Sequence, residues 1–191
     1  MFHSNYRFLS FLCVISSYLL ISSSCDSHKV RRMLNGIMDA TIVLPNNVSC
    51  VRNGNLSPSE QLKLYGKCLI VFVDSTECSR CRIDKLNRYH DYIALSEEKN
   101  TFNVLFLLSI NKKSRDEVIE YLLLTEPDYP IYIDENNDFR SLNPSIPDDT
   151  RFHTILVNGK GKAILVGDPM ANASIRTIFD NVINEVENGL Q

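Results

Sequence analysis

Residues 69–81 read L-I-V-F-V-D-S-T-E-C-S-R-C. From Cys68 to Val73 the chain is apolar and mostly β-branched or aromatic, with no polar alternation, which suits a strand buried on both faces. A short polar turn and two cysteines follow, and then Ile83, Leu86, Tyr89 and Ile93 recur at helical spacing to about Glu98. The pair is therefore expected where a buried strand turns into an amphipathic helix. A thiol is nucleophilic as its thiolate, and a helix N-terminus lowers its pKa through free N–H groups and a positive dipole end. That setting predicts Cys78 as the attacking thiolate and Cys81, one turn on, as the resolving thiol, cycling between dithiol and disulfide. Arg80, Arg82 and Lys85 add positive charge, and Glu77 opposes it. An inert structural disulfide and a metal site remain open alternatives. A structural zinc site usually has a second ligand pair at similar spacing, and this sequence has none.

Downstream, F-N-V-L-F-L-L-S-I (102–110) predicts a second buried strand, and P-I-Y-I-D (130–134) a third. Between them, Ser114 and Glu117 have capping-box spacing ahead of a helix that turns Val118, Tyr121 and Leu122 inward and stops before Pro127. A Pro-bearing connection (143–149) leads to T-I-L-V-N-G-K-G-K-A-I-L-V-G, two strands around a Gly-rich turn. Ile175, Ile178, Phe179, Val182 and Val186 predict a closing helix ending at Gly189. Upstream, residues 36–45 read as a small strand ending at Pro45, and residues 46–60 as a loop or loose hairpin. Early alternation followed by a hairpin implies a mixed sheet with helices on both faces.

The whole chain has 191 residues and a formal charge of −3, with ordinary globular composition and no basic excess of the kind that nucleic-acid binding needs. Residues 1–24 have a short polar start, an apolar stretch and small residues before a boundary, which predicts a signal peptide. Cys25, after three serines, suits lipidation of a bacterial lipoprotein, anchoring the domain to a membrane and facing the periplasm or cell surface. Ordinary cleavage to a soluble secreted protein is the alternative, and an uncleaved anchor a third. Residues 25–35 then form a tether and residues 36–191 the domain. With Cys13 in the signal peptide and Cys25 lipidated, Cys50, Cys68, Cys78 and Cys81 remain for an oxidising compartment.

L-I-V-F-V-D-S-T-E-C-S-R-C-R-I-D-K-L, P-I-Y-I-D-E-N-N-D-F and F-H-T-I-L-V-N-G-K-G-K-A-I-L-V-G together resemble the thioredoxin superfamily, in particular exported TlpA-like proteins such as Bacteroidetes lipoproteins. The resemblance covers residues from about 37 to 187. It implies an α/β fold, a thioredoxin-like three-layer sandwich with a mixed central sheet and helices on both faces. It also implies dithiol/disulfide exchange at Cys78 and Cys81 by a monomer without a bound cofactor, acting on protein thiol or disulfide substrates with a separate redox partner. Three positions depart from the family. Glu77 stands where Trp usually precedes the first cysteine, Phe72 where a buried acid helps move a proton, and His153-Thr154 where a cis-proline opens the hairpin.

A non-proline cis bond costs about 3–4 kcal/mol, so a trans peptide and an altered substrate groove are expected at His153. As a general base or hydrogen-bond partner, His153 could replace the lost acid and hold Cys78 as thiolate. As a ligand, it could join Cys78 and Cys81 around a soft metal or an iron–sulfur centre. It could also be a groove residue with no chemical task. Cys50 and Cys68 either pair or stay apart, Cys68 as a small buried hydrophobe and Cys50 in a loop. His90 is expected to pack near the core, and Asp148 and Asp149 to solvate a loop.

Overall fold

The computed structural model describes residues 27–77 and 79–185, with residues 59, 60 and 79–82 placed by backbone alone. The expected signal peptide, Cys25, Cys78 and the expected helix end at Gly189 lie outside the described residues.

Seven strands form one sheet: β1 (Val48–Arg52), β2 (Asn55–Glu60), β3 (Lys67–Val73), β4 (Phe102–Ser109), β5 (Ile131–Asp134), β6 (Thr154–Val157) and β7 (Ala163–Val166), in spatial order β2-β1-β5-β4-β3-β6-β7. β3 pairs in parallel with β4, and β4 with β5, whereas β6 runs antiparallel to both β3 and β7. The described helices are α1 (residues 27–39), α2 (Ser79–Leu86), α3 (His90–Lys99), α4 (Arg115–Thr125), α5 (Asp138–Leu142) and α6 (Ala173–Asn184).

The two-residue period of a strand divides the core. Leu69, Val71 and Val73 of β3 face a layer containing Ile83 and Leu86 of α2, Tyr92 of α3, Val118 and Leu122 of α4 and Phe179 of α6. Cys68, Ile70 and Phe72 face the other layer, with Ile37 of α1, Phe139 of α5 and Ile146. This mixed sheet between two helical layers is the three-layer α/β architecture expected of a thioredoxin-like fold.

Local differences have physical reasons. Residues 26–35 are polar and basic in composition, yet α1 packs Val30, Met33 and Leu34 against the second layer at i, i+3, i+4 spacing and buries Ile37 in its last turn. The packed domain thus begins ahead of residue 36, and the strand expected at 36–45 is the end of α1, an extended stretch and a single bridge, Thr41 to Lys162. The loop or loose hairpin expected at 46–60 is the β1–β2 hairpin, with a register shift between Val48 and Cys50, and its turn, Asn53 and Gly54, has positive φ at both residues, as the tight N-G turn requires. Ser114 makes no side-chain cap at α4; its hydroxyl donates to the Asn111 carbonyl instead. A 3₁₀ turn, Asn87–Tyr89, divides the long helix expected after Cys81 into α2 and α3.

Candidate functional site

β3 ends at Val73, and the next four residues close on themselves before α2 begins. The Asp74 carboxylate accepts from the Thr76 N–H at 2.9 Å and the Thr76 hydroxyl at 2.7 Å. The Glu77 N–H donates to the Asp74 carbonyl, and Glu77 Oε1 accepts the Asp74 N–H at 3.1 Å. This reciprocal D-x-x-E turn is built like a capping box, and it settles the backbone donors exposed where a strand stops. It also fixes where the cysteine pair starts. Cys78 lies between described Glu77 and Ser79, the first residue of α2, and Cys81 is the third residue of that helix.

His153 opens β6 beside the same strand end. Its carbonyl accepts from the Phe72 N–H at 2.9 Å, and its ring lies 5.2 Å from that of Phe72. No cis peptide bond occurs among the described residues, so the step at His153 is trans as expected. The side chain is 1% exposed, and both ring nitrogens are engaged. Nε2 lies 3.0 Å from the Pro147 carbonyl, and Nδ1 lies 3.1 Å from Glu77 Oε1. A carbonyl only accepts, so Nε2 carries a hydrogen. Both ring nitrogens are thus taken up within the network, Nδ1 with the Glu77 carboxylate and Nε2 with the Pro147 carbonyl.

Arg140 of α5 closes the other side of the turn. It pairs with Asp74 at 3.0 Å and exposed Asp148 at 2.8 Å, and donates to the carbonyls of Ile146 and Pro147. Its guanidinium lies 5.9 Å from the centre of the Phe72 ring. Burial would push the Asp74 carboxyl up, but the Thr76 hydrogen bonds, Arg140 and His153 together hold it below the ordinary carboxylate range. Asp74 is thus a fixed anion, poorly suited to shuttling a proton at neutral pH. Asp149 caps the 3₁₀ turn Thr150–Phe152 and holds Arg151, which keeps its carboxyl low against the opposing effect of burial. His90 is exposed, contrary to the packed position expected for it.

On the other face, a cleft of about 210 Å³ runs between the end of β3, the last turn of α2, the start of β6 and the loop after β7. Val73, Lys85, Tyr89, Thr154 and Asp168 are among its walls, and Arg88 is ion-paired to Asp168 across it. Cys50 and Cys68 are both buried and form no disulfide. Cys50 is on β1 rather than in a loop, and β5 and β4 separate β1 from β3. Three inter-strand steps of about 4.8 Å exceed the reach of a disulfide. Burial pushes the Cys68 thiol up to about 12, so it stays protonated and unreactive.

Sequence reasoning singled out Glu77 and His153 as separate departures and missed that they meet. An acid at one unusual position and an imidazole at the other was the available signal, as was D-x-x-E for the turn. Arg140 carried no local signal, because only the packing of α5 on Phe72 brings it to the site.

Sheet order and strand direction define an α/β domain of thioredoxin-like fold, and in sequence Cys78 falls between the end of β3 and the start of α2. No protein-family model and no curated protein matches the chain. Among solved structures, it is similar to an uncharacterized thioredoxin-like protein from Porphyromonas gingivalis, at 17% identity over 80% of this chain and 97% of that one, with a TM-score of 0.46. It is also similar to a putative thiol:disulfide interchange protein, DsbE, from Chlorobium tepidum, at 15% identity over 76% and 96% of the two chains, TM-score 0.47. A third similarity is to the thioredoxin domain of a thiol-disulfide oxidoreductase from Bacteroides vulgatus, at 18% identity over 76% and 99%, TM-score 0.45. Sheet order and strand direction, rather than these likenesses, define the fold.

Proposed function

We propose that the chain is an exported thiol–disulfide exchange protein, held to a membrane through a lipidated Cys25 and acting on protein substrates. In the reducing direction, the Cys78 thiolate attacks one sulfur of a substrate disulfide, forming a mixed disulfide and releasing the other sulfur as a thiolate. Cys81, deprotonated, then attacks Cys78 Sγ, closing the Cys78–Cys81 disulfide and releasing the second substrate thiolate. Two electrons pass from the dithiol to the substrate, and the protons of the two cysteines end on the two released thiols. The oxidising direction is the same path reversed.

One observation supports this reading: β3 ends at Val73 and α2 begins at Ser79, so the pair falls in sequence at the start of a helix, where backbone donors and the dipole favour a thiolate. Reading His153 as a third ligand beside the cysteines suits the site poorly, since both of its nitrogens are already engaged. A second reading, a non-catalytic binding module with a structural disulfide, draws support from Glu77, an acid directly beside Cys78 that opposes a thiolate.

Insulin reduction in the presence of dithiothreitol separates the two. The exchanger accelerates it, Cys78→Ser abolishes the acceleration, and Cys81→Ser accumulates a mixed disulfide through Cys78. A wild-type rate equal to that of dithiothreitol alone sinks the exchange reading.

A further inference from the structure

We propose that the cleft between the end of β3, the last turn of α2, the start of β6 and the loop after β7 binds a carboxylate carried on a short apolar body. Such a site is independent of the exchange reading. Its volume, about 210 Å³, lies below the roughly 300–1,000 Å³ of pockets that take drug-sized ligands, so it suits a group of side-chain size. Buried Val71, Val73 and Leu86 supply its apolar wall. Its polar wall is organised before any ligand arrives. Tyr89 and Thr154 line the cleft although only 2% and 6% exposed, and the Tyr89 hydroxyl hydrogen-bonds with Thr154, Asp168 and Arg88. Burial, with the charge of Asp168, pushes that hydroxyl up to about 12, so it stays neutral and adds no charge of its own.

The charges select an anion. Among the described walls Asp168 is the only acid, and its oxygens are taken: Oδ2 pairs with Arg88, and Oδ1 accepts the Met170 N–H at 2.8 Å. Lys85, Arg88 and Arg151 are the cations, and Arg151 is bound to Asp149. A guanidinium has five N–H donors, of which Arg88 gives only part to Asp168 and Tyr89. Lys85 is exposed on α2, one turn before Tyr89, and has no hydrogen-bond or ion-pair partner among the described residues. A ligand cation would therefore meet positive groups and an acid already committed. A carboxylate would meet the Lys85 ammonium and spare Arg88 donors beside an apolar wall, the setting for charge-assisted hydrogen bonds. The larger cavity beside α1, about 660 Å³, sets Lys29 and Arg151 against Asp148 and Asp149, a balance that selects neither sign.

The test is a titration of the ¹⁵N-labelled full chain with hexanoate at neutral pH, followed through amide chemical shifts. The amides of Thr154, Asp168 and Ala171 should shift saturably. Hexan-1-ol, which keeps the apolar body without the charge, should bind about tenfold more weakly, and hexylamine should not bind there. Lys85→Gln changes an exposed side chain, so the fold is kept and its spectrum shows as much; it should weaken hexanoate about fivefold and leave hexan-1-ol unaltered. The proposal is overturned if those three amides do not shift, if hexan-1-ol or hexylamine binds as tightly as hexanoate, or if Lys85→Gln binds hexanoate as the wild type does. A second arm identifies the source of the carboxylate. Tighter binding of acetyl-Leu-Glu-Leu-amide than of its Gln counterpart, read at the same amides, supports an acidic side chain of a bound peptide; binding of hexanoate alone supports a free acid.

Discussion

The two ends of β3 have opposite surroundings, apolar about Cys68 and charged just ahead of Cys78 in sequence. At the entry end, Cys68 lies among Ile70, Val157 and Leu105, with a thiol pushed up to about 12 by burial, and it behaves as a small hydrophobe. At the exit end, the strand runs into a charged network in which Asp74 and His153 are buried and Glu77 and Arg140 are partly exposed. Burial alone is therefore not expected to decide reactivity along this strand. What differs is whether each buried polar group has partners, and whether the next element begins with free backbone donors. The comparison predicts that substitutions at the exit end disturb both stability and chemistry, whereas those at the entry end disturb stability alone.

The largest expected effect is at Phe72, whose ring touches Phe139 and His153 and lies under Arg140. Phe72→Ala should cost about 4 kcal/mol in urea unfolding, through the cavity it leaves. A loss below about 1 kcal/mol would mean that the network holds the exit end without its apolar floor.

Next is Asp74→Ala, which leaves Arg140 without its buried carboxylate and should cost about 3 kcal/mol. Because the folded carboxyl is held below its ordinary value, its contribution is complete above the ordinary carboxylate range and is lost as pH falls through the folded pKa. Wild-type stability should accordingly decline on acidification with a limb that Asp74→Asn flattens. An unchanged acid limb in that variant would place the titration elsewhere.

Cys68→Ser should cost about 2 kcal/mol, because it buries a hydroxyl in an apolar site, and should leave exchange on insulin unchanged. Lost exchange in a folded Cys68→Ser protein would erase the contrast between the ends. Smallest for stability is Cys25→Ala, expected to leave unfolding unaltered while moving the protein from the membrane fraction to the soluble one. Among the described residues, no helix is long and apolar enough to cross a membrane. Retention of Cys25→Ala in the membrane fraction would favour the uncleaved N-terminal anchor over lipidation.

Much of the architecture was legible because β3, β4 and α6 declare themselves by period and apolar content. α1 was not, since its polar residues outnumber Val30, Met33, Leu34 and Ile37, and only the core beneath shows which face counts. The same limit held at the site. The cysteine spacing and the two odd positions were visible locally, but the contact between Glu77 and His153 joins residues 76 apart and depends on β6 lying beside β3. Arg140 required α5, a five-residue helix capped by buried Asp134, which no apolar period announces.

The reduction potential of the Cys78–Cys81 pair, titrated against glutathione or dithiothreitol with both cysteines tracked by mass, tests the central claim most directly. An exchanger at the exit end of β3 should lie between about −120 and −270 mV. A potential below about −300 mV would mark an inert structural disulfide and contradict the account.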